Sequence, residues 1–443
     1  MRGGRGVLIA MVFSRMSEPI LIQQVIVVSA ASRQPEPVNV LVEDGHFRFL
    51  RKGAKLPEGC RLVNGEGKVL LPGLFDLHAH LREPGREDAE TIASGTAAAV
   101  NGGFTGLLMM PDTSPALDNG GMVQSVTDIA LKSSPVPVSV AGCISRRRAG
   151  EELAEIGEMA LRGAVMITDD GDTVANPLLL RRALQYSRDL GLLVAVHCDV
   201  KELSGNGSMH DGRVSYRLGL TGIHPCAEEI GIARDIRLAQ SCRSRIHIKN
   251  VTTGSGVETI RRYKSEGVQV SAEVTPHHLI FTDADVGDYD TNFKVKPPLR
   301  TPEDTAALLE GVLDGTLDVI ATDHSPHTEF EKTRDFASAP FGVTGLETAL
   351  PALHHHFIRS GKLTWEVLVE RMARAPRRLL GIGVPDIVDG AAVDAVLFDP
   401  AAVTRVDKDF IKSRSRNTPF LGRELSGRVE MVLAGDRILL ERS

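Results

Sequence analysis

Asp76-Leu77-His78-Ala79-His80-Leu81-Arg82-Glu83-Pro84-Gly85 carries two histidines one residue apart, directly after the apolar run Val69-Leu70-Leu71-Pro72-Gly73-Leu74-Phe75. Side-chain direction repeats every two residues in an extended chain, so both imidazoles reach the same side and can grip one metal ion. Arg82 shares that side. A guanidinium beside a metal suits an anionic substrate. The same spacing also arises by chance on protein surfaces, so the pair is weighed with the elements that carry it.

From Gly73 onward, short apolar runs alternate with helical stretches, the pattern of βα units around a parallel sheet. Strands are predicted at 74–79, 105–109, 136–141, 163–168, 192–197, 245–250, 268–273 and 317–321. Helices fill the gaps, for example 88–101 before Gly102-Gly103 and 177–190 before Gly191. Eight such units predict an α/β chain whose residues 73–390 form a TIM-like (β/α)8 barrel. Short strands at 20–28 and 38–43 precede it, and strands at 395–398, 428–433 and 437–440 follow it. These predict a small β domain built from both ends of the chain, 19–72 and 391–443. Residues 1–18 read as a disordered extension, because the apolar stretch at 7–13 is too short for a secretion signal; Met11 and Met16 are alternative starts.

A hydrophobic fraction of 42%, a charged fraction of 24% and a formal net charge of -6 over 443 residues describe a soluble globular protein. They exclude the basic footprint of a nucleic-acid binder, and no membrane span is evident. Cys60, Cys143, Cys198, Cys226 and Cys242 are odd in number and contain no C-x-x-C pair, which argues against a disulfide framework and fits a reducing cytoplasm.

Chemistry in such a barrel sits at the C-terminal ends of the strands, and the polar residues fall there. His78 and His80 end the first strand, Asp169-Asp170-Gly171 the fourth, His197 the fifth, Asn250 the sixth and Asp323 the eighth; His277 and His278 follow the seventh. Each alone has a bland explanation: His197 as a core histidine, Asp169-Asp170-Gly171 as a turn. Together, in register with eight strands, they point to one site.

Five segments, D-x-H-x-H-L-R-x-P-G, Met109-Met110-Pro111-Asp112-Thr113, Ile167-Thr168-Asp169-Asp170-Gly171, Val196-His197-Cys198 and Ala321-Thr322-Asp323-His324-Ser325-Pro326-His327, resemble the bacterial class I dihydroorotases of the amidohydrolase superfamily. The resemblance continues through Lys296-Pro297-Pro298-Leu299-Arg300, Ala339-Pro340-Phe341-Gly342-Val343 and Arg416-Asn417-Thr418-Pro419-Phe420, nearly the whole chain. It implies zinc as the cofactor, with His78, His80 and Asp323 on the more buried ion, Asp170 bridging, and His197 on a second ion. A hydroxide held between the metals would attack the ring amide of L-dihydroorotate, Asp323 would shuttle the proton, and the reverse reaction would close N-carbamoyl-L-aspartate in pyrimidine biosynthesis. Arg82 and His327 would clamp the substrate carboxylate, with His80, Phe341 and Gly342 bordering it.

Three positions depart from that pattern. Where the family has H-I-x-H-V-S-T, this chain reads His247-Ile248-Lys249-Asn250-Val251-Thr252-Thr253, so Asn250 stands at a ligand position. An amide oxygen holds zinc less well than imidazole, which predicts one tightly bound zinc and a second weaker one, with Asn250→His raising the second affinity. His247, three residues away, is expected on the opposite strand face. Asp112 and Lys296 replace two asparagines that bind substrate in the family, and Lys296 is expected to neutralise Asp112 or to bind the substrate anion itself. Two other functions compete: another cyclic amidohydrolase (hydantoinase, dihydropyrimidinase or allantoinase), and a silent scaffold for aspartate transcarbamoylase. The resemblance further implies a homodimer and an aspartate transcarbamoylase partner.

Overall fold

The computed structural model describes residues 14–16, 18–29, 36–50 and 59–442. Eight apolar runs form one parallel sheet in sequence order: Leu74–Ala79, Phe104–Met109, Val138–Gly142, Ala164–Ile167, Leu193–His197, Ile246–Lys249, Val270–Val274 and Val319–Ile320. Each lies within two residues of its predicted place. The first strand meets the end of the eighth, because Ala79 bridges His324 in parallel and the His80 N–H donates to the His324 carbonyl at 2.8 Å. Asp76 reinforces the seam, accepting from the Thr322 N–H (2.8 Å) and hydroxyl (2.6 Å). The sheet is thereby curled into a (β/α)8 barrel.

Alternation along the strands separates the two faces. Ile246, Ile248, Val270, Ala272 and Val274 point out into the apolar layer beneath the helices. Their neighbours His247, Lys249, Ser271 and Glu273 are buried and meet residues across the barrel. The helix before Gly102-Gly103 runs Ile92–Asn101 and starts four residues later than expected, because Thr91 caps it by accepting from the Ser94 N–H. Gly103 (φ +91) and Gly191 (φ +71) make the left-handed turns into the next strands, a conformation that only glycine adopts freely.

The second sheet joins both ends of the chain. Its strand order is Ser14–Arg15, Arg437–Glu441, Glu424–Ala434, Asp394–Arg405, Val69–Pro72, Ile20–Val27, Val38–Glu43 and His46–Leu50, with Arg61–Asn64 also pairing to Ile20–Val27. Ile22, Val40, Val42, Leu70, Leu397 and Leu433 fill its own apolar core. Of the segment expected to be an unstructured extension, residues 1–13 and 17 lie outside the described residues, whereas Ser14–Arg15 pair antiparallel with Ile438 and Arg437. No cysteine forms a disulfide, and no described helix is long and apolar enough to cross a membrane.

Candidate active site

The strand ends deliver their polar side chains to one mouth, and three of them do so from strained backbone. Arg82 (φ +61), Asn250 (φ +49) and Asp323 (φ +46) all sit in the left-handed region that side chains rarely adopt. Each lies just past a strand end, where the turn swings its side chain over the barrel. The resulting cavity of about 400 Å³ is lined by His80, Arg82, Asp112, Asp170, His197, Asn250, Lys296, Asp323, His327, Phe341 and Gly342. Every residue expected at the site is on that wall except His78, which is fully buried beneath it.

His78 Nε2 lies 2.9 Å and His80 Nε2 3.2 Å from the same oxygen, Asp170 Oδ2. Asp323 Oδ1 is 3.4 Å from His78 Nε2 and 3.3 Å from His80 Nε2. The far nitrogens are held by acids: His78 Nδ1 by Glu273 at 2.6 Å, His80 Nδ1 by Asp112 at 2.7 Å. Two imidazole nitrogens and two carboxylates converging in this way, each ring oriented by an outer carboxylate, suit a divalent transition metal.

Charge reinforces the arrangement. Burial pushes the Asp170 carboxyl up, but His78 and Lys249 beside it bring it well below the usual range. Asp323 is likewise held low, by His78 and His80 against its burial. Burial works against a charge on either imidazole, yet His78 is raised well above its ordinary value by Asp170, and His80 is raised to about 9, chiefly by Asp112.

Glu273 was not singled out from the sequence, although its signal was there. In Val270–Val274 the polar residues Ser271 and Glu273 share one face of an otherwise apolar strand. Glu273 is buried between His78 and His247 Nε2 (3.1 Å), and His247 Nδ1 bonds Ser271 at 2.8 Å. His247 therefore faces inward but is occupied one layer below the metal-type cluster. Glu273→Gln should weaken metal binding about 10- to 100-fold, since it removes the charge that orients His78. Competition with a chromophoric chelator measures this, and unchanged affinity would remove Glu273 from the site.

The sixth strand differs most from expectation. Lys249, buried in the barrel, places its ammonium 3.0 Å from Asp170 Oδ1. Asn250 donates from Nδ2 to Asp323 Oδ2 at 3.0 Å, while its Oδ1 has no hydrogen-bond partner. His197 is also buried with Nε2 unpartnered, and burial together with nearby Lys296 lowers its pKa. His278 is committed to Thr275 (2.8 Å) and the Pro297 carbonyl (2.9 Å), and neither it nor His277 lines the cavity.

The expected pairing of Lys296 with Asp112 is not found. Lys296 Nζ lies 2.8 Å from Asp199, and Asp112 is instead gripped by His80 and by Arg82 Nη1 at 2.6 Å. Arg82 and His80 share its side of the barrel mouth, which is why they, and not Lys296, neutralise it. Arg82 Nε also donates to the Pro326 carbonyl at 3.1 Å, leaving Nη2 beside His327 Nε2 at 3.4 Å. That His327 nitrogen bonds the Phe341 carbonyl at 2.8 Å, and burial and the Arg82 guanidinium hold the ring down to about 3, so His327 is neutral. Gly342 (φ +122) admits no side chain, because a Cβ there would stand 2.6 Å from Ser325 Cβ.

A parallel barrel with this cluster at its C-terminal mouth defines a metal-dependent amide hydrolase of the amidohydrolase type. Residues 67–255 match the family described as Dihydro-orotase-like. A dihydroorotase of Pelotomaculum thermopropionicum is 46% identical over 95% of this chain and 98% of its own, and one of Caldanaerobacter subterraneus is 41% identical over 92% and 94%. The chain belongs to the dihydroorotase family. Among solved structures, the L-hydantoinase of Arthrobacter aurescens superposes with a TM-score of 0.84 at 23% identity, covering 96% of both chains. The dihydropyrimidinase of Brevibacillus agri gives 0.81 at 21% identity over 96% and 95%. These two establish the barrel and its appended sheet as a shared fold.

Metal binding should depend on pH in a definite direction. In protein stripped of metal, the His80 pKa of about 9 lies above the unfolded value of 6.5, so its protonation stabilises the fold below pH 6.5 and that contribution is lost as pH rises to about 9. A metal must displace that proton, so its apparent affinity should climb about tenfold per pH unit per proton released and level off near pH 9. Calorimetric titration in buffers of different ionisation enthalpy counts the protons. Affinity flat between pH 6.5 and 8.5 would contradict the assignment.

Proposed function

We propose that this chain interconverts N-carbamoyl-L-aspartate and L-dihydroorotate, with His78, His80, Asp170 and Asp323 holding zinc. The observation that carries the reading is the convergence of both imidazole Nε2 atoms on Asp170 and Asp323 at the floor of a cavity whose wall also bears Arg82 and Lys296. A zinc ion bound there would lower the pKa of water and polarise the amide carbonyl.

The chain supplies the remaining chemistry. Asp323 is ionised and therefore ready to take the proton of the attacking water, then to give it to the ring nitrogen that leaves. Asn250 holds its other oxygen and fixes the carboxylate plane. The substrate carboxylate falls to the free Nη2 of Arg82 and to Lys296, because His327 is uncharged and its bonded nitrogen is turned to Phe341. The unpartnered Asn250 Oδ1 can accept from the substrate's ureido N–H groups, and His197 Nε2, also without a partner, can hydrogen-bond the substrate beside it.

The loss of imidazole at Asn250 supports one tightly held zinc at the His78–His80–Asp170–Asp323 cluster. Metal-loaded protein should cyclise N-carbamoyl-L-aspartate and hydrolyse L-dihydroorotate in a direct absorbance assay. Absence of both activities in folded, loaded protein would favour the scaffold reading. A homodimer and an aspartate transcarbamoylase partner rest on the resemblance, and a cytoplasmic location on the cysteine usage; light scattering alone and with that enzyme tests the first two.

A further inference from the structure

The ion pair between Lys249 and Asp170 lies where a carboxylate shared by two metals would present its second oxygen. Asp170 Oδ2 faces His78 and His80, whereas Oδ1 faces the Lys249 ammonium at 3.0 Å. The lysine is only 2% exposed, reaches across the barrel from the sixth strand, and packs its head against the Met110 sulfur. Oδ1 forms no aligned hydrogen bond, so the contact is a pairing of charges. A buried cation this close to a buried carboxylate is costly to separate, and a dication beside it would meet direct repulsion.

We propose that the Lys249 ammonium stands in for the second metal ion, making this a single-metal enzyme with a fixed positive charge built into the sixth strand. This rests on the dihydroorotase reading for its first metal only. The change to asparagine at position 250 and the lysine at 249 are then one adaptation: the amide gives up a ligand, and the neighbouring side chain replaces the lost charge. In this arrangement His197, on the cavity wall, faces the substrate instead of a second ion. The sequence-based expectation that Asn250→His alone restores a second ion is accordingly replaced, because the ammonium still occupies Asp170 Oδ1.

The test is metal stoichiometry, read by plasma mass spectrometry after zinc loading and gel filtration, and by anomalous diffraction at the zinc edge. Full-length wild-type protein and Asn250→His should each retain one zinc per chain. Lys249→Met with Asn250→His should retain two, methionine being close to lysine in volume and circular dichroism verifying the fold. Should that double variant fail to fold, Lys249→Gln with Asn250→His gives the same comparison with a polar neutral side chain. Two zinc ions in wild type, or two in Asn250→His alone, would overturn the proposal. So would a bicarbonate-dependent mass increase at Lys249, which would make it a carboxylated ligand and not a cation. The stoichiometries are read without turnover: inactive protein that holds one zinc counts against the dihydroorotase reading, and active protein that holds two counts against Lys249.

Discussion

Asp323→Asn should lower turnover of L-dihydroorotate by about 10³-fold or more while leaving the fold intact. General acid–base catalysis contributes about 10²- to 10⁴-fold, and here the same residue also faces both histidines. The amide is isosteric and can keep a hydrogen bond to Ser325, which donates to Oδ1 at 3.1 Å. It cannot carry a proton. Both directions of the reaction should fall together, since one group serves both by microscopic reversibility. Rates within tenfold of wild type in stopped and continuous assays would remove Asp323 from proton transfer.

Arg82→Ala should cost about 30- to 4000-fold in kcat/KM, mostly through KM, because truncating one partner of a buried charge pair costs roughly 2–5 kcal/mol, at about 1.4 kcal/mol per tenfold. Two losses combine. The substrate carboxylate loses Nη2, and Asp112, bound at 2.6 Å by Nη1, becomes a buried anion held by His80 alone. Arg82→Lys should recover little, since a single ammonium cannot reproduce the fork that serves both partners. Asp112→Asn placed on top of Arg82→Ala should recover part of the loss by removing the stranded charge, and a double-mutant cycle isolates that share. Full additivity would show that the two residues act independently.

The barrel was legible in the sequence because each strand is a short apolar run ended by a polar residue or a glycine turn, and periodicity reads such runs well. The eighth strand was the hardest, only Val319–Ile320 being regular, since its pairing gives way to the Asp76–Thr322 seam. Asp76 reads as part of a motif, yet its work is structural, and nothing in its spacing says so. The metal cluster was legible because histidines and acids sit at the C-terminal ends of the first, fourth and eighth strands, the positions where a barrel gathers its site. The inner layer was not: Glu273, His247 and Lys249 act through contacts across the barrel that sequence neighbours cannot reveal. The placing of Lys296 against Asp112 failed for the same reason, because pairing charges along a sequence ignores that Arg82 and Asp112 end adjacent strands and meet first.

The most direct test of the account compares L-dihydroorotate with dihydrouracil, the same ring without the carboxylate, on one zinc-loaded preparation before and after chelation. The site as described predicts hydrolysis of L-dihydroorotate that disappears on chelation and returns with zinc. It also predicts a preference over dihydrouracil of about 10³-fold or more, because the smaller ring has no carboxylate for Arg82 Nη2 and Lys296 to hold. Equal turnover of the two rings, or hydrolysis that survives complete metal removal, would contradict it.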